Sequence, residues 1–306
     1  MKFKNKISEA NFSSVFFYSL KLFKKLNTTA VKFRYLHVQL VLKKIFDFYI
    51  KSSIHVALAV LALAKISLYT AGIIQQEILL IFIFFSAVSA YNFVKFFPLL
   101  KGSPLRLSDA LILGLTLGAL LISGGVLFLL PWRVLVFAFL GGILVLGYTI
   151  PFHTSLSNWR NLRGWKLNWV VLSWLCLTVG APLASVEGVD TLLFVKLAVL
   201  QGVYIYVAIL PFEIGDLNSD TTELQTLPQR YGIIRVKIWG GLLLLLASFF
   251  ALLSFGYTSP MGSSSLLVFL LLGIFLGKSN PEQSPYFARF WVEGLPLLWC
   301  VLIYYF

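Results

Sequence analysis

Long apolar runs alternate with short polar segments along most of this chain. Nine runs are long and apolar enough to form membrane-spanning helices, since a helix needs about 20 apolar residues to cross a bilayer. They lie at residues 53–71, 78–97, 110–130, 134–150, 167–184, 192–212, 234–255, 264–277 and 290–306. The eighth run is short for a hydrocarbon core of roughly 30 Å. We therefore predict an all-α, multi-pass membrane protein built as a nine-helix bundle.

Composition agrees with a membrane protein. Of 306 residues, 59% are hydrophobic and only 12% are charged, and the mean hydropathy is +0.88. These values exclude an ordinary soluble domain. Because consecutive membrane helices pack into one bundle, residues 47–306 are expected to form a single domain. Residues 1–46 are predicted to be a basic, partly amphipathic segment on the cytoplasmic side.

The net charge of +13 predicts the orientation of the chain. Loops rich in Lys and Arg stay in the cytoplasm. With the N terminus inside, only Lys65, Arg133 and Lys196 fall outside cytoplasmic segments. We predict a bacterial inner membrane protein with a cytoplasmic N terminus and the C terminus on the opposite side. The positive charge favours contact with anionic lipids, and no soluble basic domain is present to bind nucleic acid.

Three carboxylates follow the sixth predicted span, at Glu213, Asp216 and Asp220. On a helix, residues three and four apart share a face, so these side chains would stand together. The negative charges on such a face repel one another unless a cation binds between them. A solvated loop with helix capping is the simpler alternative for this run.

Other polar residues end the second and fourth predicted spans, whose carboxyl ends lie on the same side. A mouth that joins carboxylates, an amide, phenols and cations suits a diphosphate with a hydrophobic tail. Mg²⁺ binds through one or two carboxylates and phosphate oxygens, and Lys and Arg neutralise the remaining charge. The residues in question are Tyr91, Asn92, Lys95, Tyr148, Arg160, Arg163 and Lys166.

The acidic run resembles the second motif of the UbiA superfamily of intramembrane prenyltransferases. That motif is D-x-x-D-x-x-x-D, followed by T-L-P and a glycine. The matching residues here are Glu213, Asp216, Asp220, Thr226, Leu227, Pro228 and Gly232. The resemblance covers about residues 45–306 and implies a nine-helix prenyltransferase fold.

The first motif of that family, N-D-x-x-D-x-x-x-D, survives only in its asparagine. It aligns with residues 92–100, where Asn92 is kept and apolar residues replace all three aspartates. Lys95 places a positive charge where a second metal would be expected. The resemblance is therefore specific for the architecture and for the second motif.

The resemblance implies Mg²⁺-dependent transfer of a prenyl group from a polyprenyl diphosphate to a lipophilic acceptor. It implies metal ligands at Glu213, Asp216 and Asp220. The catalytic residues would be Asp216, Asp220 and Asn92. Diphosphate contacts are expected from Lys95, Arg160, Arg163 and Lys166.

An alternative stays open beside the enzyme. The protein would then be a catalytically silent relative that binds an isoprenoid lipid or serves as an assembly partner, with Lys95 paired to the acidic face. A transporter or channel is disfavoured. Those classes typically place ionisable residues deep in the spans or break helices at mid-membrane, and this sequence shows little of either feature.

Overall fold

The computed structural model describes residues 29–97, 107–151, 165–220 and 224–306, with the backbone alone over 29–35. All regular structure in these ranges is helical. The helices are α1 (Thr29–Lys51), α2 (Ile54–Thr70), α3 (Glu77–Phe96), α4 (Leu107–Leu127), α5 (Trp132–Thr149), α6 (Lys166–Ala184), α7 (Thr191–Gly215), α8 (Leu227–Tyr231), α9 (Ile233–Phe255), α10 (Pro260–Lys278) and α11 (Phe287–Tyr305).

The prediction of an all-helical membrane protein is confirmed for the described ranges. Eight of these helices are long and apolar enough to cross a membrane, and a ninth is counted if α2 is joined to Leu36–Lys51 of α1 across a 53° bend. The predicted eighth span was too short. Helix α10 has 19 residues and begins at Pro260, because the Ser259 hydroxyl accepts a hydrogen bond from the Gly262 amide at 2.9 Å.

Helices α2 and α7 form the centre of the bundle. Helix α2 packs against α3, α6 and α11, and α7 packs against α6, α9, α10 and α11. A buried amide joins the two central helices: Gln201 of α7 donates to the Leu63 carbonyl oxygen at 3.1 Å and to the Ser67 hydroxyl at 2.9 Å. Such interhelical hydrogen bonds fix the register of helices whose surfaces are uniformly apolar.

The core beside α7 is aromatic. The ring of Trp299 on α11 lies 5.3 Å from that of Tyr204 and 5.5 Å from that of Phe269 between centroids. All three side chains are almost fully buried. Close approach elsewhere depends on Gly240, where an added Cβ would lie 2.5 Å from the Leu276 side chain. Small residues of this kind allow membrane helices to pack tightly.

Helix α1 has two different halves. Near its end, the Tyr286 hydroxyl donates a hydrogen bond to the Asp47 carboxylate, and the Phe46 ring lies 5.1 Å from the Phe290 ring. Further toward its beginning, α1 exposes apolar side chains, as expected for a helix lying at the membrane surface. These side chains are Leu36, Val38, Leu40, Val41, Leu42 and Ile45.

Candidate functional site

One cavity of about 630 Å³ lies at one end of the bundle. It is surrounded by the carboxyl ends of α1, α3, α5 and α7 and by the beginnings of α4, α6 and α11. Successive spans run in opposite directions, so these ends meet at a single mouth. Polar groups from the second, fourth and sixth predicted spans are thereby brought to the same cavity.

Most of the cavity wall is apolar, and aromatic rings form much of it. On α7, Tyr204 precedes Glu213 by nine residues, which is about 14 Å along a helix axis at 1.5 Å per residue. The Tyr204 hydroxyl is buried and has no hydrogen-bond partner among the described residues. The aromatic lining residues are Tyr91, Phe96, Tyr148, Trp169, Trp174, Tyr204 and Phe212. The cavity therefore has a charged mouth and an apolar, largely aromatic interior.

The first charged group, which we name the acidic cluster, consists of Glu213, Asp216, Asp220 and Lys166. The Lys166 ammonium lies 3.7 Å from Glu213 Oε1 and 3.4 Å from Asp220 Oδ2. Glu213 is only 1% exposed, and its Oε2 accepts a hydrogen bond from the Leu227 amide at 3.4 Å. Its Oε1 has no hydrogen-bond partner in the described ranges. Asp216 lines the cavity.

The prediction that all three carboxylates lie on one continuous helix is corrected by the structure. Helix α7 ends at Gly215, before Asp216 and Asp220. The chain nevertheless continues as a turn, because the Asp220 amide donates to the Asp216 carbonyl oxygen at 2.8 Å. This turn keeps Asp220 on the side of Glu213, and the two carboxylates share Lys166 for that reason.

The end of α7 is shaped by two residues that weaken a helix. Pro211 has no amide hydrogen to donate within α7. Its carbonyl oxygen accepts a hydrogen bond from Gln283 Nε2 at 2.7 Å. A Cβ at Gly215 would lie 2.5 Å from the same nitrogen, so glycine makes room for the Gln283 side chain. Gln283, from the segment before α11, thus fixes the carboxyl end of α7.

The Thr-Leu-Pro segment after the acidic run is a helix start. The Thr226 amide donates a hydrogen bond to Gln229 Oε1 at 3.0 Å where α8 begins, and Pro228 is buried. This geometry presents the Leu227 amide to Glu213. The segment that matched the family motif therefore supports the acidic cluster through its backbone.

The second charged group, which we name the basic cluster, consists of Lys95, Arg289 and Glu293. All three side chains line the cavity. Lys95 donates a hydrogen bond to the Ser53 hydroxyl at 2.8 Å. Glu293 interacts electrostatically with both Lys95 and Arg289, although no ion pair within 4 Å joins them in the described ranges. Glu293 follows a π-helical turn over Phe287–Val292, a feature often found near functional sites.

Asn92 holds the bend between α1 and α2. It is fully buried, donates a hydrogen bond to the Ser52 carbonyl oxygen at 3.0 Å, and does not line the cavity. Ser53 adopts a left-handed backbone conformation with φ of 63°, which is uncommon for a residue with a Cβ. Asn92 and Lys95, one turn apart on α3, thus secure consecutive residues of this bend.

Arg160 and Arg163, two of the predicted diphosphate contacts, lie outside the described residues. The other two, Lys95 and Lys166, both line the cavity but belong to different clusters. Sequence reasoning did not select Glu293 as a site residue. A signal existed, since a lone acid within a predicted membrane span is a functional candidate in its own right.

The donor set fits a shared metal better than an all-protein metal site. No group of three or more His, Cys, Asp or Glu side chains in the described ranges is arranged to hold a metal ion. Two carboxylates of the acidic cluster, Glu213 and Asp216, nevertheless line the cavity, and Glu213 Oε1 lacks a hydrogen-bond partner in the described ranges. Mg²⁺ commonly takes one or two carboxylates and completes its shell with water and substrate phosphate.

Comparisons with known proteins return no match for this chain. No protein-family model matches it, and neither the curated proteins nor the solved structures contain a match. The resemblance to the UbiA superfamily stays a prediction from the acidic motif.

Proposed function

We propose that this protein is an intramembrane prenyltransferase that moves a prenyl group from a polyprenyl diphosphate to a lipophilic acceptor. The observation that carries the proposal is the cavity, which joins two charged clusters at its mouth to an aromatic interior. Its volume of about 630 Å³ lies within the range of about 300–1,000 Å³ usual for small-molecule pockets. An amphiphile with a charged head and an apolar tail matches this division.

In the proposed reaction the head group lies at the mouth, with Glu213 and Asp216 as the ligands of Mg²⁺. Bound there, Mg²⁺ would neutralise the charge that develops on the leaving diphosphate. Lys95 and Arg289 face the same cavity and would add positive charge around the phosphate oxygens. The allylic carbon–oxygen bond breaks, the diphosphate leaves with the electron pair, and the acceptor forms the new bond as it loses a proton.

The aromatic interior suits the other half of the reaction. A prenyl carbocation is attracted to the faces of aromatic rings, most strongly in a desolvated site. Tyr204 and Trp174 line the cavity, and Trp174 donates a hydrogen bond to the Tyr91 hydroxyl at 2.6 Å. That bond orients two of the rings that would surround the tail.

We place the mouth on the cytoplasmic side of a bacterial inner membrane. Basic residues collect at this end of the bundle, which supports that orientation under the positive-inside rule. The described basic residues at this end are Lys51, Lys95, Lys166, Arg230, Arg235, Lys237, Lys278 and Arg289.

One observation favours the second candidate, a catalytically silent isoprenoid-binding protein. Lys166 already contacts two of the three carboxylates, at 3.7 Å to Glu213 and 3.4 Å to Asp220. An internal cation thus lies where a bound metal would be expected. The alternative anticipated such a pair with Lys95, and the structure makes it with Lys166.

The deciding experiment is a transfer assay in membranes that contain the protein. Radiolabelled prenyl diphosphates of several lengths are incubated with Mg²⁺ and a lipid extract, beside Asp216→Asn and an exposed control, Glu282→Gln. The enzyme predicts that label moves into lipid with the wild type and the control, and that the loss in Asp216→Asn is at least about 100-fold. If no sample transfers label and the binding of prenyl diphosphate does not depend on Mg²⁺, the protein is the catalytically silent isoprenoid-binding protein instead.

A further inference from the structure

The basic cluster differs from its neighbour in having cations that are not neutralised by contact. Lys95 and Arg289 make no ion pair within 4 Å in the described ranges, and the hydrogen bond that Lys95 donates goes to the neutral Ser53 hydroxyl. Both side chains are exposed to the cavity. Glu293 lines the same cavity and interacts electrostatically with both cations. The cluster therefore has donors to offer and a net positive charge.

The acidic cluster cannot take a phosphate group by itself. Its one cation, Lys166, is already within 4 Å of two carboxylates, and Asp216 adds a third negative charge. A phosphate entering without a metal would be repelled there. The same phosphate would be attracted to the guanidinium and ammonium groups of the basic cluster, which line the same cavity.

We propose that Lys95 and Arg289 form a phosphate-binding site that holds the head group of a prenyl phosphate or diphosphate without any metal. This inference deepens the proposed function and rests on its amphiphilic ligand. Arg289 presents a planar fork of donors suited to two phosphate oxygens, whereas Lys95 acts as a point charge. The bond to Ser53 positions the Lys95 ammonium at the bend between α1 and α2.

Glu293 gives the site an internal competitor. It stands four residues after Arg289 on α11 and interacts with both cations that would bind the phosphate. When the carboxyl is ionised, its negative charge balances these two cations and opposes the entry of an anion. Removing that charge is therefore expected to strengthen phosphate binding, whereas removing the Arg289 charge weakens it.

The test is direct binding of farnesyl monophosphate to the full-length protein in nanodiscs, in buffer containing EDTA. We expect Arg289→Gln to raise Kd by about 10-fold, which corresponds to the loss of one charge-assisted hydrogen bond. In alkaline buffer, where the Glu293 carboxyl is ionised, Glu293→Gln is expected to lower Kd by about 3-fold or more. The matched control is Arg235→Gln, an exposed residue of α9 outside the cavity lining, and its Kd should equal that of the wild type.

Opposite shifts in two variants cannot both arise from misfolding. Weaker binding by Glu293→Gln, or equal Kd values for Arg289→Gln and Arg235→Gln, would overturn the proposal. So would the absence of wild-type binding in EDTA, even if Mg²⁺-dependent transfer were observed. Binding in EDTA without transfer in Mg²⁺ supports the phosphate site while rejecting the enzyme, so the two failures are distinguishable.

Three further ligands identify the source of the phosphate. Farnesol lacks the head group and should bind at least about 10-fold more weakly if charge carries the affinity. Equal affinity for farnesol would overturn the site. Competition by inorganic diphosphate or by phosphatidic acid as effective as that by farnesyl monophosphate supports the phosphate site and identifies a free anion or a bilayer lipid as its occupant.

Discussion

The two charged clusters share one cavity but differ in how their charges are satisfied. In the acidic cluster, Glu213 is 1% exposed and is compensated by Lys166 and by the Leu227 amide. In the basic cluster, Lys95 and Arg289 remain exposed to the cavity. The first arrangement is largely self-contained, and the second has charge left for a ligand.

This difference assigns the two clusters different roles, one in the stability of the fold and one in the recognition of an anion. A carboxylate that is buried beside an internal cation contributes to folding whether or not a ligand is bound. An exposed guanidinium in an apolar cavity contributes little to folding and much to recognition of an anion. We therefore expect substitutions in the acidic cluster to change stability strongly, and substitutions in the basic cluster to change mainly affinity.

The largest effect on stability is expected from Lys166→Met. Removing one partner of a buried ion pair leaves an uncompensated charge, at a cost of about 3–5 kcal/mol. Glu213 and Asp220 would both lose their cation. The melting temperature in detergent should fall well below that of Lys278→Met, an exposed control on α10.

Added Mg²⁺ turns the same variant into a test of the metal site. If the acidic cluster can hold a metal, Mg²⁺ should raise the melting temperature of Lys166→Met and leave the control unchanged. Equal melting temperatures for the two variants would show that the acidic cluster is not self-contained. Stability lost but not recovered with Mg²⁺ would favour the silent protein.

A smaller effect is expected at Asn92, which supports the basic side of the cavity. Asn92→Ala leaves the buried Ser52 carbonyl oxygen without its donor, at a cost of about 1–3 kcal/mol. Prenyl transfer measured well below the melting temperature should stay within about 3-fold of the wild type, a difference under 1 kcal/mol. The control is Asn280→Ala, which alters an exposed loop amide.

The opposite pattern at Asn92 would support its predicted catalytic role. Transfer would then be lost at an unchanged melting temperature, as expected for an amide that orients phosphate or metal-bound water. Such a result would also mean that the bend between α1 and α2 does not depend on Asn92. Asn92 would then be a third polar group that acts on the ligand, beside the two charged clusters.

The helices were predictable because membrane spans are encoded locally. A run such as residues 234–255 is apolar throughout, and α9 occupies Ile233–Phe255. The exception was α10, whose first turn begins at Pro260 and contains glycine and serines that lower the local hydropathy. Its start is set by the N-cap residue Ser259. A single capping residue gives this signal, and hydropathy averaged over a window does not detect it.

The site was predictable only where its residues are close in sequence. Glu213, Asp216 and Asp220 were found by their spacing, whereas their cation, Lys166, comes from another helix and was recognised only as a candidate phosphate contact. The position of Lys95 depends on the left-handed backbone of Ser53, which no residue type signals. Pairing across helices is decided by tertiary packing, which a one-dimensional pattern does not contain.

The smallest expected effect concerns the contact that fastens α1 beside the basic cluster. Burial, aided by the hydrogen bond to Asp47, raises the pKa of Tyr286 to about 12. A raised pKa stabilises the fold fully below the unfolded value near 10, and that contribution is lost as pH rises through 12. Because Tyr286 is partly exposed, screening should limit the contribution to under about 1 kcal/mol.

The Tyr286→Phe variant tests this contact through its pH dependence. The melting temperature of the wild type should fall between pH 10 and 12 by slightly more than that of Tyr286→Phe, because only the wild type has this phenol to ionise. Tyr257→Phe, at a tyrosine that is 78% exposed, should follow the wild type. Parallel curves for all three proteins would mean that the Asp47 contact adds nothing, and that the basic cluster is held in place by Asn92 and the aromatic packing of α1 alone.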